Sequence, residues 1–383
     1  MAVARRTRIL VVDDSAVMRS LLRTVVGADP GLEVAGTAAD GVSALNALPT
    51  VRPDLILLDV EMPVMDGLVT LRELRKRGFK MPVIMCSSLT QRGAKVTIEA
   101  LAGGASDYVT KPSGQAGREA AIKTLGSELL PKIHALTQSI QPSGILPPSP
   151  ALQRPVAGAR GTLMPMAPPP RQQAYTQTPT VVVIGVSTGG PAALDVVLPQ
   201  LTANFPVPVL IVQHMPELFT KLFAERLNSR CRIPVCEGAQ GQPVLPGNIY
   251  IARGNWHMEV LGGAHPGTPP TLHLNQGPPE NHCRPAVDVL FRSAAKLYGS
   301  GVLSVVLTGM GSDGMLGCRV IREQGGCVLA QDQATSTVWG MPGAVTNAGL
   351  AHKVLPLEGV APEILRIVTR TNSEARELRR LVV

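Results

Sequence analysis

Thr180-Val-Val-Val-Ile-Gly-Val-Ser-Thr-Gly189 is an apolar run that ends in a serine held between glycines. Such a run reads as a buried strand of an α/β sheet that delivers a nucleophile on a tight strand-to-helix turn. Glycine lets the backbone take the turn, and the amides that open the following helix are left free to face a developing oxyanion. Ser187 is therefore the candidate nucleophile, with the Thr188 backbone amide as a candidate oxyanion donor.

Two later apolar runs end in the partners a serine needs. Val207-Pro-Val-Leu-Ile-Val212 leads into Gln213-His214-Met215-Pro216, and Val302-Leu-Ser-Val-Val-Leu307 leads into Thr308-Gly-Met-Gly-Ser-Asp313-Gly314. In an open parallel sheet the ligand crevice lies beyond the carboxyl ends of the strands, so Ser187, His214 and Asp313 are expected to converge there. His214 would take the serine proton, and Asp313 would fix the imidazole tautomer and stabilise the imidazolium. The chain order Ser, His, Asp differs from the Ser, Asp/Glu, His order of α/β-hydrolases, so the G-x-S-x-G match does not indicate a lipase-type enzyme.

The first third of the chain carries an independent constellation. Thr7-Arg-Ile-Leu-Val-Val12 leads into Asp13-Asp14, Asp54-Leu-Ile-Leu-Leu58 into Asp59, Val83-Ile-Met-Cys86 into Ser87-Ser88, and Asp107-Tyr-Val-Thr110 into Lys111-Pro112. Each is a short strand with a polar residue at its carboxyl end, and the intervening segments read as helices. Three carboxylates brought together repel unless a divalent cation joins them, and oxygen ligands without His or Cys favour magnesium. Lys111 and Ser87 supply a charge and a hydroxyl suited to a phosphoryl group on Asp59.

At these residues the first third resembles a response-regulator receiver domain, and the whole chain resembles the chemotaxis protein-glutamate methylesterases of the CheB type. The receiver motifs are Asp13-Asp14-Ser15, Leu58-Asp59-Val60-Glu61-Met62-Pro63, Met65-Asp66-Gly67, Ser87-Ser88-Leu89-Thr90 and Thr110-Lys111-Pro112. The output motifs are Ser187-Thr-Gly-Gly190, Gln213-His214-Met215-Pro216, Leu245-Pro246-Gly247, Arg284-Pro285-Ala286-Val287-Asp288, Gly309-Met310-Gly311-Ser312-Asp313-Gly314 and Gly340-Met341-Pro342. The resemblance implies a flavodoxin-like receiver with a five-stranded parallel sheet, followed by a doubly wound, mainly parallel α/β methylesterase domain. It implies that Asp59 takes phosphate from a histidine kinase, with Asp13, Asp14, Asp59 and the backbone carbonyl of Glu61 on magnesium, and Ser87, Tyr108 and Lys111 as the switch residues. It further implies that Ser187, His214 and Asp313 hydrolyse γ-methyl glutamyl esters on chemoreceptors, releasing methanol, and also deamidate receptor glutamines. The backbone amide of Met310 is the implied second oxyanion donor, and no cofactor is implied for the ester reaction.

A chain of 383 residues suits two domains and a linker. The expected boundaries are a receiver over 5–138, a linker over 139–179 that contains ten prolines, a methylesterase domain over 180–370 and a basic tail over 371–383. The linker cannot bury a core and is expected to be mobile, which weakens any marginal docking between the domains. The formal charge of +8 comes with only 3% aromatic residues and no basic stripe interleaved with stacking residues, so nucleic acid is not the expected partner. No stretch approaches a membrane span, and the six cysteines lack metal-ligand spacing, which together point to a reducing cytoplasm. Arg284 and Asp288, four apart, are expected to pair on a helix, and His257 and His282 to make ordinary loop or surface hydrogen bonds. The closest rival reading is a receiver-controlled serine esterase or amidase acting on a non-chemotaxis protein.

Overall fold

The computed structural model describes residues 5–112, 117–137, 175, 177–265 and 267–381, with side chains as far as residue 369. In the first part, strands β1 (Thr7–Val12), β2 (Leu32–Ala38), β3 (Leu55–Asp59), β4 (Val83–Ser87) and β5 (Asp107–Thr110) alternate with helices. The helices are α1 (Ala16–Gly27), α2 (Gly41–Val51), α3 (Gly67–Lys76), α4 (Gln91–Ala102) and α5 (Arg118–Thr137). Side-chain oxygens of Ser15, Asp40, Asp66 and Thr90 cap the first four, so each helix begins where the sequence supplies an acceptor for its free amides. The strands form one parallel sheet in the order β2-β1-β3-β4-β5. The order reverses between β1 and β3, which opens a crevice beyond the ends of those two strands.

The second part contains β6 (Val181–Val186), α6 (Gly190–Val197), β7 (Val209–Gln213), α7 (Glu217–Asn228), β8 (Val235–Glu237), β9 (Ile249–Ile251), β10 (His257–Leu261) and β11 (Thr271–Asn275). It continues with α8 (Val287–Tyr298), β12 (Val302–Val306), α9 (Met315–Glu323), β13 (Cys327–Gln331), α10 (Met341–Asn347), β14 (Lys353–Leu355) and α11 (Leu357–Leu381). Seven strands make a parallel sheet in the order β14-β13-β12-β6-β7-β9-β8, while β10 and β11 form a separate antiparallel hairpin. Every residue of β6 is buried, as expected of a central strand covered on both faces. The switch point falls between β6 and β12, so the turn after β6 and the loop after β12 open into one crevice.

Helix α11 runs unbroken to Leu381, so the segment expected to be a separate tail from residue 371 continues a helix that starts inside the domain. Of the proline-rich linker, only Tyr175 and residues 177–179 fall among the described residues, and the Tyr175 hydroxyl donates to the carbonyl of Ser300 at 2.9 Å. Among the described residues no helix is long and apolar enough to cross a membrane.

The two parts touch along a specific surface. Helix α4 packs on α6 and α7, and the buried Tyr108 ring from β5 stacks on Phe219 of α7 with centroids 4.7 Å apart and planes within 13°. The Thr188 hydroxyl donates to the Asp107 carboxylate at 2.6 Å, a contact from the turn after β6 to β5 of the other sheet. Met310 and Val338 join the apolar cluster that contains Leu129, Ile133 and Leu136 of α5.

Candidate active site

The turn after β6 is built to expose Ser187. Gly189 takes a φ of 78°, a left-handed conformation in which a side chain is strained. A Cβ on Gly309 would stand 2.8 Å from the Ser187 Cβ and 3.1 Å from its amide nitrogen, so the loop after β12 can pass the serine only as glycine. Gln213, fully inside, donates its side-chain amide to the Ser187 carbonyl at 3.0 Å, tying the end of β7 to the serine turn.

His214 follows β7 and Asp313 lies in the loop after β12, and the structure brings both to the turn. His214 Nε2 and Asp313 Oδ2 are 2.9 Å apart. A carboxylate only accepts, so in the neutral ring Nε2 carries the proton and Nδ1 is the nitrogen available as base. Nδ1 faces the Cys283 sulfur at 3.6 Å, and among the described residues Ser187 Oγ has no hydrogen-bond partner. Asp313 is buried and also accepts from the amides of Val287 and Asp288 at 2.7 and 3.0 Å, which as the first amides of α8 have no partner within the helix. Burial opposes ionisation of Asp313, yet the His214 hydrogen bond and charge, with the two amides, hold its carboxyl below the usual range. Burial likewise disfavours the imidazolium of His214, but the hydrogen bonds with Asp313 and Cys283 outweigh it and push the ring up to about 9.

The backbone amides of Thr188 and Met310 have no acceptor among the described residues, so both are available to an incoming oxyanion. Ser187, His214, Cys283, Asn281 and Met310 line a cavity of about 460 Å³ whose other wall is Asp107, Tyr108, Glu128 and Lys132 of the first part. The arrangement therefore combines a hydroxyl, a base with a paired carboxylate and free amides in one chamber, roofed by the other sheet's edge.

The second constellation assembles at the crevice of the first sheet. Carboxylate oxygens of Asp13, Asp14 and Asp59 lie within 4.8 Å of one another. Lys111 Nζ bridges Asp13 and Asp59 at 2.8 and 2.7 Å. One ammonium facing three carboxylates leaves excess negative charge, and an all-oxygen donor set with that excess fits a hard divalent cation such as magnesium. Burial raises the Asp59 carboxyl to about 6 despite the opposing Lys111 charge. Ser87 is buried at the end of β4 and donates to the Ser88 carbonyl at 3.2 Å, and Glu61 donates its amide to Asp59 at 3.4 Å.

Arg284 lies outside α8 and donates to Asn255 Oδ1 and to the carbonyls of Gln276 and Gly277, so it does not pair with Asp288. His257 is buried on β10 with both ring nitrogens bonded, to the Pro278 carbonyl and the Ala286 amide, rather than sitting in a loop or at the surface. The six cysteines are free thiols, but Cys283 is not a packing residue, because it faces the base nitrogen. Sequence reading missed Asn281, Cys283 and Gln213 as parts of the site. Only Gln213, beside His214 at a strand end, carried any local signal.

Residues 182–364 match the CheB methylesterase family and residues 9–123 match the response regulator receiver domain. A protein-glutamate methylesterase/protein-glutamine glutaminase of Trichodesmium erythraeum (strain IMS101) is 47% identical over 363 residues, spanning 94% of this chain and 98% of the relative. The chain belongs to the protein-glutamate methylesterase/protein-glutamine glutaminase family. A second relative so named, from Nocardioides sp. (strain ATCC BAA-499 / JS614), is 49% identical over 365 residues, 95% of this chain and 96% of its own. The crystal structure of the Thermotoga maritima CheB methylesterase catalytic domain is 41% identical, covers 50% of this chain and 100% of that one, and aligns with a TM-score of 0.48.

A pH dependence follows from the His214 environment in this methylesterase family member. A base works only as neutral imidazole, and a ring that titrates near 9 is still largely protonated at pH 7. The rate of ester cleavage by the unphosphorylated chain should therefore climb between pH 7 and 9 and fall as pH drops through that range. A rate profile from pH 6.5 to 9.5 checks this; a plateau already reached at pH 7 would mean that Asp313 and Cys283 do not hold the proton on the ring.

Proposed function

We propose that this chain hydrolyses glutamyl γ-methyl esters on chemoreceptors, with deamidation of receptor glutamines as a second activity, under control of phosphorylation at Asp59. The observation that carries the reading is the convergence of Ser187, His214 and Asp313 beside two free amides, in a chain whose relatives over nearly full length are named protein-glutamate methylesterase/protein-glutamine glutaminase. Ser187 Oγ attacks the ester carbonyl as His214 Nδ1 takes its proton, and the oxyanion rests on the amides of Thr188 and Met310. The tetrahedral adduct collapses with transfer of that proton to the departing methoxide, so methanol leaves. Water then gives a proton to the same nitrogen as it attacks the acyl-serine, and that proton passes to the departing Ser187 Oγ as the glutamate is released. Ser187 Oγ and His214 Nδ1 are not hydrogen-bonded in the substrate-free chain, and in this reading the bond forms as substrate enters, as catalytic hydrogen bonds that are long or poorly aligned beforehand commonly do. Incubating the chain with chemoreceptor membranes that carry labelled methyl esters should release labelled methanol; label that stays on the receptor would refute the reading.

The receiver's partners follow from the same reading: a histidine kinase as phosphodonor, chemoreceptors as substrate, and the cytoplasm as the compartment where both are met. Asp13, Asp14, Asp59 and the Glu61 carbonyl would hold magnesium, which when bound neutralises the charge of an incoming phosphoryl group. Lys111 and Ser87 then engage the phosphate on Asp59, and Tyr108 moves its ring in response. Because Tyr108 stacks on Phe219 and Asp107 accepts from Thr188, that movement loosens the roof of the chamber. We take the domains as a receiver over 5–138, a linker over 139–179 and a methylesterase domain from 180, with the segment after 370 assigned to α11.

The roof contacts are weak enough to be switched. A stacked aromatic pair contributes about 1 kcal/mol beyond its buried area, and a hydrogen bond to a carboxylate about 1.5–3 kcal/mol. Tyr108→Ala should therefore raise the rate of the unphosphorylated chain by about 5-fold or more and Asp107→Ala by about 10- to 150-fold, while leaving the phosphorylated rate nearly unchanged. Methanol release from both forms of each variant measures this; an unphosphorylated rate equal to wild type in both would show that these contacts do not restrain the site.

A further inference from the structure

Residues 280–283 form a tight turn in which Glu280 and Cys283 exchange two backbone hydrogen bonds, of 3.0 and 2.8 Å, around Asn281 and His282. Both central residues have positive φ, 51° and 63°, the conformation of a two-residue hairpin turn. Asn tolerates that region because its short amide finds local partners. Here the partners are not local. Asn281 Nδ2 donates to Asp313 Oδ1 at 3.0 Å and to Asp288 Oδ2 at 3.1 Å, one hydrogen to each of two buried carboxylates.

We propose that Asn281 is a positioning residue of the hydrolytic site, whose amide holds Asp313 in place as the acceptor of His214 while separating it from the Asp288 carboxylate. The proposal rests on the assignment of Ser187, His214 and Asp313 made above. Asp313 Oδ2 takes the His214 ring and the Val287 amide, and Oδ1 takes Asn281 and the Asp288 amide, so each oxygen is saturated and the carboxylate has one orientation. Without Asn281, Oδ1 would lose one of its two donors and face the Asp288 carboxylate with only one backbone amide on it. Asp288 is itself bound by the Gly317 amide at 2.6 Å, and burial with the neighbouring Asp313 charge raises its carboxyl to about 6. The same turn carries Cys283 to the other ring nitrogen of His214, so one four-residue segment addresses both sides of the base. Glu280 anchors the segment on α8 through Arg292 at 2.6 Å.

The groups that face this bridge are Asp288 from α8, Asp313 from the loop after β12, His214 from the end of β7 and Cys283 of the turn itself, with Arg292 paired to Glu280 nearby and His282 on the chamber side. Asn281→Asp keeps the shape but adds a carboxylate among these groups, and Asn281→Gly keeps the turn but removes the amide; both residues accept a positive φ. In the full chain treated with a small phosphodonor, Asn281→Gly should lower kcat by about 10- to 100-fold with KM nearly unchanged. Asn281→Asp should move the ascending limb of the kcat/KM profile upward by about 1 pH unit or more, because another negative charge against Asp313, the partner of the His214 ring, favours the protonated form of that ring. A turn residue that merely shaped the backbone would leave both readings at wild type, and that result overturns the proposal. Ser187→Ala in the same panel separates the two layers: full activity there removes the hydrolytic assignment itself, whereas inactivity there with wild-type behaviour of both Asn281 variants removes only the role of Asn281.

Discussion

Ser187→Ala and His214→Ala should each cut methanol release from methylated chemoreceptor membranes by about four orders of magnitude or more, and the double variant should be little worse than either. The reason is that proton removal and carbonyl attack are one event. Without Oγ the base has nothing to activate, and without Nδ1 the hydroxyl remains a poor nucleophile at neutral pH. Asp313→Asn should be milder but still severe, because an amide in place of the carboxylate no longer requires the Nε2–H tautomer and withdraws the charge that supports the imidazolium. Thermal melting of each variant beside its rate separates loss of chemistry from loss of fold. Losses that multiply in the double variant, or a folded Ser187→Ala with near wild-type release, would show that the two side chains do not act in one step.

Asp59→Asn should abolish phosphate incorporation from a small phosphodonor and with it the activation of the esterase, while the unactivated rate persists. The substitution preserves size at the end of β3 but removes the acceptor oxygen and one of the three negative charges that gather there. Lys111, which bridges Asp13 and Asp59, retains Asp13 as a partner, so the fold of the crevice should survive. Labelled phosphate counted on the protein, together with methanol release before and after the donor, gives both readings. Phosphate incorporated into the Asp59→Asn variant at the wild-type level would place the acceptor elsewhere.

Much of this organisation was legible because both halves put their chemistry at strand ends. Asp13, Asp59, Ser187 and His214 each terminate or follow an apolar run, and in a parallel sheet the ends of adjacent strands must meet, so the sequence positions translate directly into a crevice. The glycines of the serine turn were legible for a similar reason, although the need for Gly309 is a packing need set by a strand far along the chain. Asn281 carried no comparable signal. It sits in a turn, 32 positions from the Asp313 that it contacts, and nothing in a local pattern tells a turn asparagine that caps its own backbone from one that bridges two distant carboxylates. The place of His257 was misread in the same way, since it opens a strand of only five residues whose partner strand begins and ends in polar residues. The Arg284–Asp288 spacing suggested a helical pair, but the helix starts at Val287, and the arginine is spent on carbonyls and on Asn255 before it begins.

The contact of the receiver with the esterase was also beyond a linear reading. A long proline-rich connection argues only that docking is not enforced by the chain, since closure entropy grows slowly with length. What fixes the docked arrangement is surface chemistry: the Tyr108 ring on Phe219, the Asp107 carboxylate on the Thr188 hydroxyl, and Met310 and Val338 against the cluster of α5. These place Tyr108, the switch residue proposed above, within the roof of the other sheet's chamber. The proposed control and catalytic residues thus line one chamber.

The initial rate of methanol release by the full chain on methyl-labelled chemoreceptor membranes, measured with magnesium before and after addition of a small phosphodonor, tests that coupling most directly. The account predicts a slow rate without the donor, a marked rise with it, and no rise in Asp59→Asn. Equal rates in both states of the wild-type chain, or no methanol in either, would contradict it.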